Sequence, residues 1–414
     1  MKYKKVKLKD IIFFNPKETI KKNQLAKKIP MDALIPFTRK VGYYEVKEFN
    51  SGTKFRNNDT LMARITPCLE NGKTAYVNIL NEDEIAFGST EYFVLRADEN
   101  YILPKYLYYI SISDKLRNVA IKSMTGTSGR QRAQKESILD FEIELPSISI
   151  QKKVLSILDS IDSKIELNNQ IISNLEELAS TLFKRWFVEF EFPDENGNPY
   201  KSSGGKMVYS ELGEIPEEWE IIKLSDLVVQ IKETFNPNKT EVEKVNHFSI
   251  PNFDSKKFPV IEDVNTIKSN KTKITDFTVL FSKMNPNFER VWLTELNKSY
   301  LNVCSPEFIA LDCKNINLQT YTYFLCKSTA FNRFLVNNAT GSTGSRQRIK
   351  PSIAMGFKFV GAVDLINKYG EICSGISEQI MNLRNQIENL KEMRDALLPK
   401  LLSGEIELPE DEEV

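Results

Sequence analysis

Two long segments of the chain carry apolar residues on a 3-4 spacing, which predicts two helices that each bear one apolar seam. The seam positions are Leu158, Ile161, Ile165, Asn168, Ile172, Leu175, Ala179, Leu182 and Trp186 in the first segment, and Cys373, Ile376, Ile380, Leu383, Ile387, Leu390, Arg394, Leu397 and Leu401 in the second. Polar residues interrupt the two seams at different places, Asn168 and Arg394. About 40 residues at ~1.5 Å per residue would give each helix a length of ~60 Å.

A helix with an apolar seam must bury that seam against a partner. The simplest partner is the other helix of the same chain, which predicts a long antiparallel coiled coil. The alternative is that each helix pairs with another protein or with a second copy of the chain.

The chain also contains an internal repeat, offset by about 216 residues. Five pairs of segments match in the same order: Lys7–Ile11 with Lys223–Leu227, Leu61–Pro67 with Leu280–Pro286, Ser89–Phe93 with Ser305–Ile309, Tyr106–Ile110 with Tyr321–Leu325, and Thr125–Arg132 with Thr340–Arg348. Residues 15–57 and 231–275 share almost nothing. A constant frame with divergent inserts suggests one scaffold that reads two different targets.

The rest of each repeat predicts a mixed α/β (α+β) domain. Tyr92–Leu95 and Thr278–Phe281 are typical of buried strands, and Pro104–Val119 is typical of a helix. The predicted order is a pseudo-twofold pair of globular domains separated by the two helices. Its boundaries are a domain at 1–148, a spacer helix at 149–190, a linker at 191–218, a domain at 219–360, a spacer helix at 361–405 and an acidic tail at 406–414.

Charge alternates along the chain in the same order. The net charge is +7 for residues 1–148, −7 for 149–221, +7 for 222–360 and −7 for 361–414, so the whole chain is neutral. The basic blocks can face a polyanion such as nucleic acid, and the acidic blocks would avoid it.

Composition excludes several kinds of site. The single histidine, His247, excludes metal sites that need two histidines. The five cysteines form no C-x-x-C pair and fit a reducing compartment. No segment approaches 18 consecutive apolar residues, and the first residues are too polar for a signal peptide. We therefore expect a cytoplasmic protein.

Catalytic motifs are incomplete in this sequence. Gly72–Thr74 resembles the end of a phosphate-binding loop, but Pro67 occupies a position that requires glycine. Asn285–Phe288 resembles an adenine methyltransferase motif without its second proline, and no G-x-G-x-x-G loop precedes it. His247 has no evident nucleophile partner, which favours a surface or base-contacting residue over a general base. We expect no catalysis, metal or cofactor in this chain.

The strongest functional signal is a loop of glycines, hydroxyl residues and arginines in both repeats, at Thr125–Arg132 and Thr340–Arg348. Glycine and small hydroxyl residues leave backbone N–H groups open to phosphate oxygens. Arginine adds bidentate contacts to phosphate or guanine, and glutamine can read adenine. The alternative is a turn whose arginines form salt bridges with the neighbouring acidic helix.

These features together resemble the specificity (S) subunits of type I restriction-modification systems. The resemblance is carried by TGTSGRQR at 125–132, TGSTGSRQR at 340–348, FPDENGNPYKSSGGKMVYSELGEIPEEWEIIKLSDL at 192–227 and LRNQIENLKEMRDALLPKLLSGEIEL at 383–408. It covers nearly the whole chain. One departure is that the first repeat starts at Lys7 without the lead-in found at Ile215–Trp219.

The resemblance implies a non-catalytic DNA reader with two target-recognition domains, each of which reads one half of an asymmetric bipartite site. The paired helices would set the unread spacer and dock two methyltransferase (M) subunits, which carry S-adenosylmethionine and the adenine-N6 chemistry. Restriction (R) subunits, which use ATP and Mg²⁺, would join the same complex. A structural adaptor without a DNA role and a self-contained enzyme are the alternative functions.

The residues expected to contact double-stranded DNA lie in the repeated loops and at nearby basic or polar positions. They are Arg64, Lys73, Gly126, Thr127, Ser128, Arg130, Gln131, Arg132, Lys283, Asn285, Arg290, Gly341, Ser342, Thr343, Ser345, Arg346, Gln347 and Arg348. The loop arginines are expected to contact mainly the phosphate backbone.

Overall fold

The computed structural model describes residues 3–127, 129–341 and 347–408. These residues combine short β-strands with α-helices, so the predicted mixed α/β class is confirmed. In the described part of the chain, no helix is long and apolar enough to cross a membrane.

The chain divides into two compact units. Unit 1 comprises residues 1–167 and 389–414, and unit 2 comprises residues 168–388. The boundary falls within both long helices, so each unit contains part of each helix.

The strands of unit 1 form two small sheets and one two-stranded ribbon among its described residues. They are β1 (Lys4–Lys7), β2 (Ile12–Phe14), β3 (Leu25–Ile29), β4 (Glu45–Glu48), β5 (Thr53–Phe55), β6 (Thr60–Ala63), β7 (Thr74–Tyr76), β8 (Ala86–Gly88), β9 (Tyr92–Ala97) and β10 (Glu142–Leu145). The sheets have the orders β2-β9-β6-β7 and β4-β3-β8-β5, and β1 pairs with β10. The predicted buried strand at Tyr92–Leu95 is confirmed as part of β9.

The helices of unit 1 pack against the β2-β9-β6-β7 sheet and each other. They are α1 (Pro104–Ile112), α2 (Asp114–Lys122), α3 (Lys135–Leu139) and the first part of α4 (Ile148–Phe187). The single helix predicted at Pro104–Val119 is two helices. Ser113 is extended between them and caps the start of α2, because its hydroxyl accepts a hydrogen bond from the N–H of Leu116.

Unit 2 has more strands than unit 1 among the described residues. They are β11 (Met207–Ser210), β12 (Gly213–Pro216), β13 (Glu220–Lys223), β14 (Val229–Gln230), β15 (Thr234–Phe235), β16 (Lys244–Phe248), β17 (Val260–Asp263), β18 (Lys271–Lys273), β19 (Thr278–Ser282), β20 (Val291–Leu293), β21 (Leu301–Cys304), β22 (Phe308–Asp312) and β23 (Lys358–Gly361). The sheet orders are β14-β22-β19-β20, β15-β18-β21-β16-β17, β11-β12 and β13-β23. The predicted strand at Thr278–Phe281 is confirmed as β19, and all of its residues are buried.

In both units the same order of elements follows one strand, β9 in unit 1 and β22 in unit 2: three short helices, a strand (β10 or β23) and a long helix. The helices of unit 2 are the second part of α4, α5 (Leu224–Leu227), α6 (Ile250–Lys256), α7 (Ile316–Lys327), α8 (Thr329–Asn337), α9 (Pro351–Met355) and most of α10 (Val363–Ser403), whose last part belongs to unit 1. The hairpin β11-β12 lies inside the segment predicted as a linker, so this segment is partly regular. Phe192 stacks on Tyr200 and on Trp219, which anchors the segment in the core of unit 2.

His247 is buried on β16, so the expectation of a surface residue is wrong. Its Nδ1 lies 3.0 Å from a carboxylate oxygen of Glu262 on β17. Burial lowers the pKa of His247 despite this carboxylate. The residue therefore belongs to the core of the five-stranded sheet.

The predicted seam residues face inward along both long helices. Leu158, Ile161, Ile165, Ile380, Leu383, Ile387 and Leu401 are buried, and Ile172, Leu175, Leu182, Ile376, Leu390 and Leu397 are half-buried. The helices end close to the predicted limits, at Phe187 rather than 190 and at Ser403 rather than 405.

Within each unit, the parts of α4 and α10 that belong to it pack against each other and run antiparallel. In unit 2, Asn168 donates to Gln386 at 3.3 Å, and Tyr369 Oη donates to the carbonyl of Ala179 at 2.9 Å. In unit 1, Leu158 shares a core cluster with Leu398 and Leu401. Higher residue numbers on α4 lie beside lower numbers on α10, so the contacts are antiparallel.

Glu176 joins α4 to two other helices of unit 2. Its carboxylate accepts hydrogen bonds at 2.8 Å from Tyr323 and Lys327 on α7, and Arg384 on α10 lies at 3.0 Å. Burial alone would raise the pKa of Glu176, but Lys327, Arg384 and Tyr323 lower it to about 2.

We expect Glu176→Gln to lower the free energy of unfolding on the order of 2 kcal/mol near neutral pH. The folded-state pKa lies below the ordinary 4.5, so the stabilisation is present above about pH 4.5 and is lost as the pH falls toward 2. The free energies of unfolding of parent and variant, measured in urea, should therefore converge only as the pH approaches about 2. Glu177→Gln, at the exposed neighbouring position, is the control. A difference that stays constant with pH would contradict the assignment.

Candidate nucleic-acid interface

The glycine- and arginine-containing loop of unit 1 folds back on itself after α2. Thr125 and Arg132 exchange two backbone hydrogen bonds, at 3.1 and 2.9 Å, and the N–H of Arg130 donates to the carbonyl of Thr127 at 2.9 Å. Gly126 has φ +128°, a backbone conformation that residues other than glycine rarely adopt. The loop is therefore a tight hairpin, and Arg130 at its tip is exposed.

Backbone hydrogen bonds fix this loop to the segment that follows β6. The N–H of Thr66 donates to the carbonyl of Gln131 at 3.0 Å, and the N–H of Ala133 donates to the carbonyl of Arg64 at 2.8 Å. Two predicted contact residues, Arg64 and Arg132, are thereby brought together.

Glu91, just before β9, binds both of these arginines. Arg132 donates to its carboxylate at 3.0 Å from Nε and at 2.6 Å from Nη2, and Arg64 Nε donates at 3.1 Å. The hydrogen bonds from Arg132 and then Arg64 hold the pKa of Glu91 below its ordinary value against the opposing effect of burial. Arg132 is thus occupied by an internal partner, although 42% of its side chain is exposed.

The loop of unit 2 has the same bracing. Thr340 and Arg348 exchange two backbone hydrogen bonds at 2.9 Å, and the N–H of Asn285 donates to the carbonyl of Gln347 at 2.8 Å. Arg348 Nε donates to Glu307 at 3.1 Å, just before β22. In both units, the last arginine of the loop is therefore bound by a glutamate that lies just before a strand, β9 in unit 1 and β22 in unit 2.

The remaining predicted contact residues differ in their availability. Lys73 Nζ donates to the carbonyl of Met31 at 2.9 Å, and Arg290 donates to Asp254 at 2.7 and 2.9 Å, so both have internal partners. Lys283 is half-buried beside the loop of unit 2. Gly126, Thr127 and Gly341 are exposed loop residues.

Some of the predicted residues lie outside the described residues. They are Ser128, Ser342, Thr343, Ser345 and Arg346. In the described part of the chain, Arg130 is a loop arginine with an exposed side chain and no ion pair. We therefore regard Arg130 as the better candidate for a phosphate contact than Arg132.

Glu91 and Glu307 were not predicted as site residues. The alternative to DNA contact was that the loop arginines would pair with the acidic helix, but Arg132 and Arg348 pair with these two glutamates instead. The repeat contained the signal, since Ser89–Phe93 aligns with Ser305–Ile309 and places an acid at the same position in both copies. Ser89 and Ser305 also fix their glutamates, by accepting from the glutamate N–H at 3.1 and 3.2 Å.

Arg39, in the first divergent insert, has a structural role, because it binds two acidic residues of α4. Its Nε donates to Glu166 at 2.9 Å, it forms an ion pair with Asp159, and its side chain is 7% exposed. Lys105 of α1 also binds Asp159, at 2.7 Å. These contacts join the first insert and α1 to α4. Among the described residues, no cluster of histidine, cysteine and acidic side chains is suited to hold a metal ion.

Comparison with known proteins identifies relatives along most of the chain. A family model described as the type I restriction modification DNA specificity domain matches residues 1–177. The type I restriction enzyme MjaIX specificity subunit of Methanocaldococcus jannaschii is 25% identical over 327 residues, covering 75% of this chain and 70% of that protein. The HindI specificity subunit of Haemophilus influenzae is 25% identical over 413 residues, covering 85% and 87%.

A solved structure has the same fold over nearly its whole length. The crystal structure of a type I restriction-modification system S subunit from M. genitalium is 15% identical and superposes with a TM-score of 0.54, covering 97% of this chain and 96% of that chain. The family model over residues 1–177, the two specificity-subunit relatives and the repeated loops place the chain among the DNA specificity subunits of type I restriction-modification systems, and the solved structure shows the same fold.

Proposed function

We propose that this specificity subunit is the non-catalytic reader of its complex and that each unit reads one half of an asymmetric, bipartite DNA site. The observation that carries the proposal is the duplicated loop, whose last arginine is bound by a glutamate in both units. The inserts, by contrast, differ between the units. A duplicated frame with different inserts suits two different half-sites. Backbone contacts would set the position of each unit on the duplex, and base contacts would select the sequence.

The long helices have a separate role in this proposal. They form an antiparallel coiled coil between pseudo-twofold related target-recognition domains, set the length of the unread spacer, and dock two M subunits. The M subunits supply S-adenosylmethionine and methylate adenine N6, and R subunits supply ATP- and Mg²⁺-dependent restriction in the cytoplasm. The purified chain alone should then neither methylate nor cut DNA.

Arg130→Ala should weaken DNA binding to a similar extent on every sequence. The exposed guanidinium would contact a phosphate, so its loss should reduce the slope of log affinity against log salt by about 0.9. The measurement is binding of the subunit with its M subunits to target and scrambled duplexes across a salt series. Lys115→Ala, which removes an equal charge from an exposed position on α2, should leave the slope unchanged.

Arg132→Ala separates contact from positioning in the same experiment. Since Arg132 is bound to Glu91, its loss should loosen the loop, and the conservative Arg132→Lys should restore part of the affinity. A change of base preference in Arg130→Ala would show that the loop reads sequence. Equal salt slopes for Arg130→Ala and the parent would contradict the phosphate contact.

A further inference from the structure

Phe288 is a large apolar side chain on the surface beside the loop of unit 2. The residue is 61% exposed. It ends a turn in which its N–H donates to the carbonyl of Asn285 at 3.1 Å. Asn287, the preceding residue, donates to the side chain of Gln347 at 3.2 Å. Phe288 is therefore presented next to the predicted DNA-contact residues.

The ring of Phe288 is held on one face. The guanidinium of Arg290 lies over it, 5.4 Å from the ring centroid. Arg290 is in turn fixed by two hydrogen bonds to Asp254, at 2.7 and 2.9 Å. A cation therefore lies over one face of the ring, and more than half of the residue is still exposed to solvent.

The corresponding turn of unit 1 does not expose its apolar residue. The repeat aligns Leu61–Pro67 with Leu280–Pro286, which places Leu69 opposite Phe288. Leu69 is fully buried, and its N–H donates to the carbonyl of Ile65 at 3.1 Å. The turn as such can therefore bury this position, and the exposure of Phe288 is particular to unit 2.

We propose that Phe288 is a specificity-determining residue that reads a thymine in the half-site of unit 2 through apolar contact with its 5-methyl group. The inference rests on the proposed DNA-reading function. The thymine methyl is the apolar group that a base pair presents in the major groove. The Arg290 guanidinium over one face of the ring favours a contact at the edge of a base over insertion of the ring between base pairs. Gln347, whose amide can read adenine, accepts a hydrogen bond from Asn287, the residue before Phe288.

Uracil substitution tests this contact because it removes the methyl group alone. The probe is the duplex identified by methylation mapping of the subunit with its M subunits, with uracil replacing each thymine in turn. The parent complex should lose about fourfold in affinity at one thymine of the half-site read by unit 2. The Phe288→Ala complex should bind the thymine duplex several-fold more weakly and should not distinguish thymine from uracil at that position.

Phe13→Ala is the matched control, since Phe13 is 54% exposed on β2 of unit 1 and lies in no predicted contact loop. It should retain the parent's thymine preference. The proposal is overturned if uracil costs the Phe288→Ala complex as much as the parent, or if no thymine of the mapped site is sensitive. A parent complex without preference for its mapped site over scrambled duplex would overturn the DNA-reading proposal as well. Urea unfolding of Phe288→Ala should match the parent, so that a loss of preference is not a loss of folding.

Discussion

Arg394→Ala should destabilise the subunit by about 3–5 kcal/mol, the largest stability loss that we expect from one substitution here. Arg394 interrupts the apolar seam of α10, and its Nη1 lies 3.1 Å from Asp162 on α4. Only 7% of the Arg394 side chain and 4% of the Asp162 side chain are exposed. Removal of the guanidinium would leave a buried carboxylate with Tyr109, whose Oη donates to it at 2.7 Å.

The measurement is urea unfolding of the full chain near neutral pH. Met393→Ala, an exposed position on the same helix, should change the free energy of unfolding by less than about 0.5 kcal/mol. The triple variant Tyr109→Phe, Asp162→Leu and Arg394→Leu should recover most of the loss, because it leaves neither a buried charge nor an unpaired buried hydroxyl. A loss below about 1 kcal/mol for Arg394→Ala would mean that the ion pair is not buried in solution.

The spacing of apolar residues was sufficient to predict both long helices, because a 3-4 repeat sustained over several turns is incompatible with strands and loops. It also identified the polar interruptions at Asn168 and Arg394. Their partners could not be predicted, since a partner depends on the register between two helices. Gln386 lies 218 residues from Asn168, and Asp162 lies 232 residues from Arg394.

The repeat predicted the position of the contact loops but not the state of their arginines. Composition alone could not distinguish exposed Arg130 from Arg132, because the distinction depends on a glutamate 41 residues away from Arg132. The two inserts were least predictable. Arg39 of the first insert docks on α4, and His247 of the second is buried, although both lie in segments without a matching counterpart.

A matched insertion in both long helices should lengthen the unread gap and leave both half-sites unchanged. Three heptads inserted after Leu167 in α4 and after Glu388 in α10 preserve the seam, and both points lie at the boundary between units 1 and 2. Twenty-one residues add about 31 Å of helix, which is about nine base pairs of duplex at ~3.4 Å each. This is close to one turn of duplex, so the two reading surfaces should face the same side of the DNA as before.

Methylation mapping of the reconstituted complex gives the outcome directly. The parent site should lose methylation at least about 100-fold, because only one half-site can then be engaged and each mismatched base pair costs about 1–3 kcal/mol. A site with the same halves and a gap about nine base pairs longer should replace it. A single heptad in each helix should give weaker methylation of any lengthened site. It adds about three base pairs to the gap, which rotate one half-site by roughly a third of a turn relative to the other. The same three heptads placed in the exposed turn at Asp194–Asn198 should leave the gap unchanged. An unchanged gap in the helix variant would mean that the helices dock partners without setting the spacer, and altered half-sites would mean that they take part in reading.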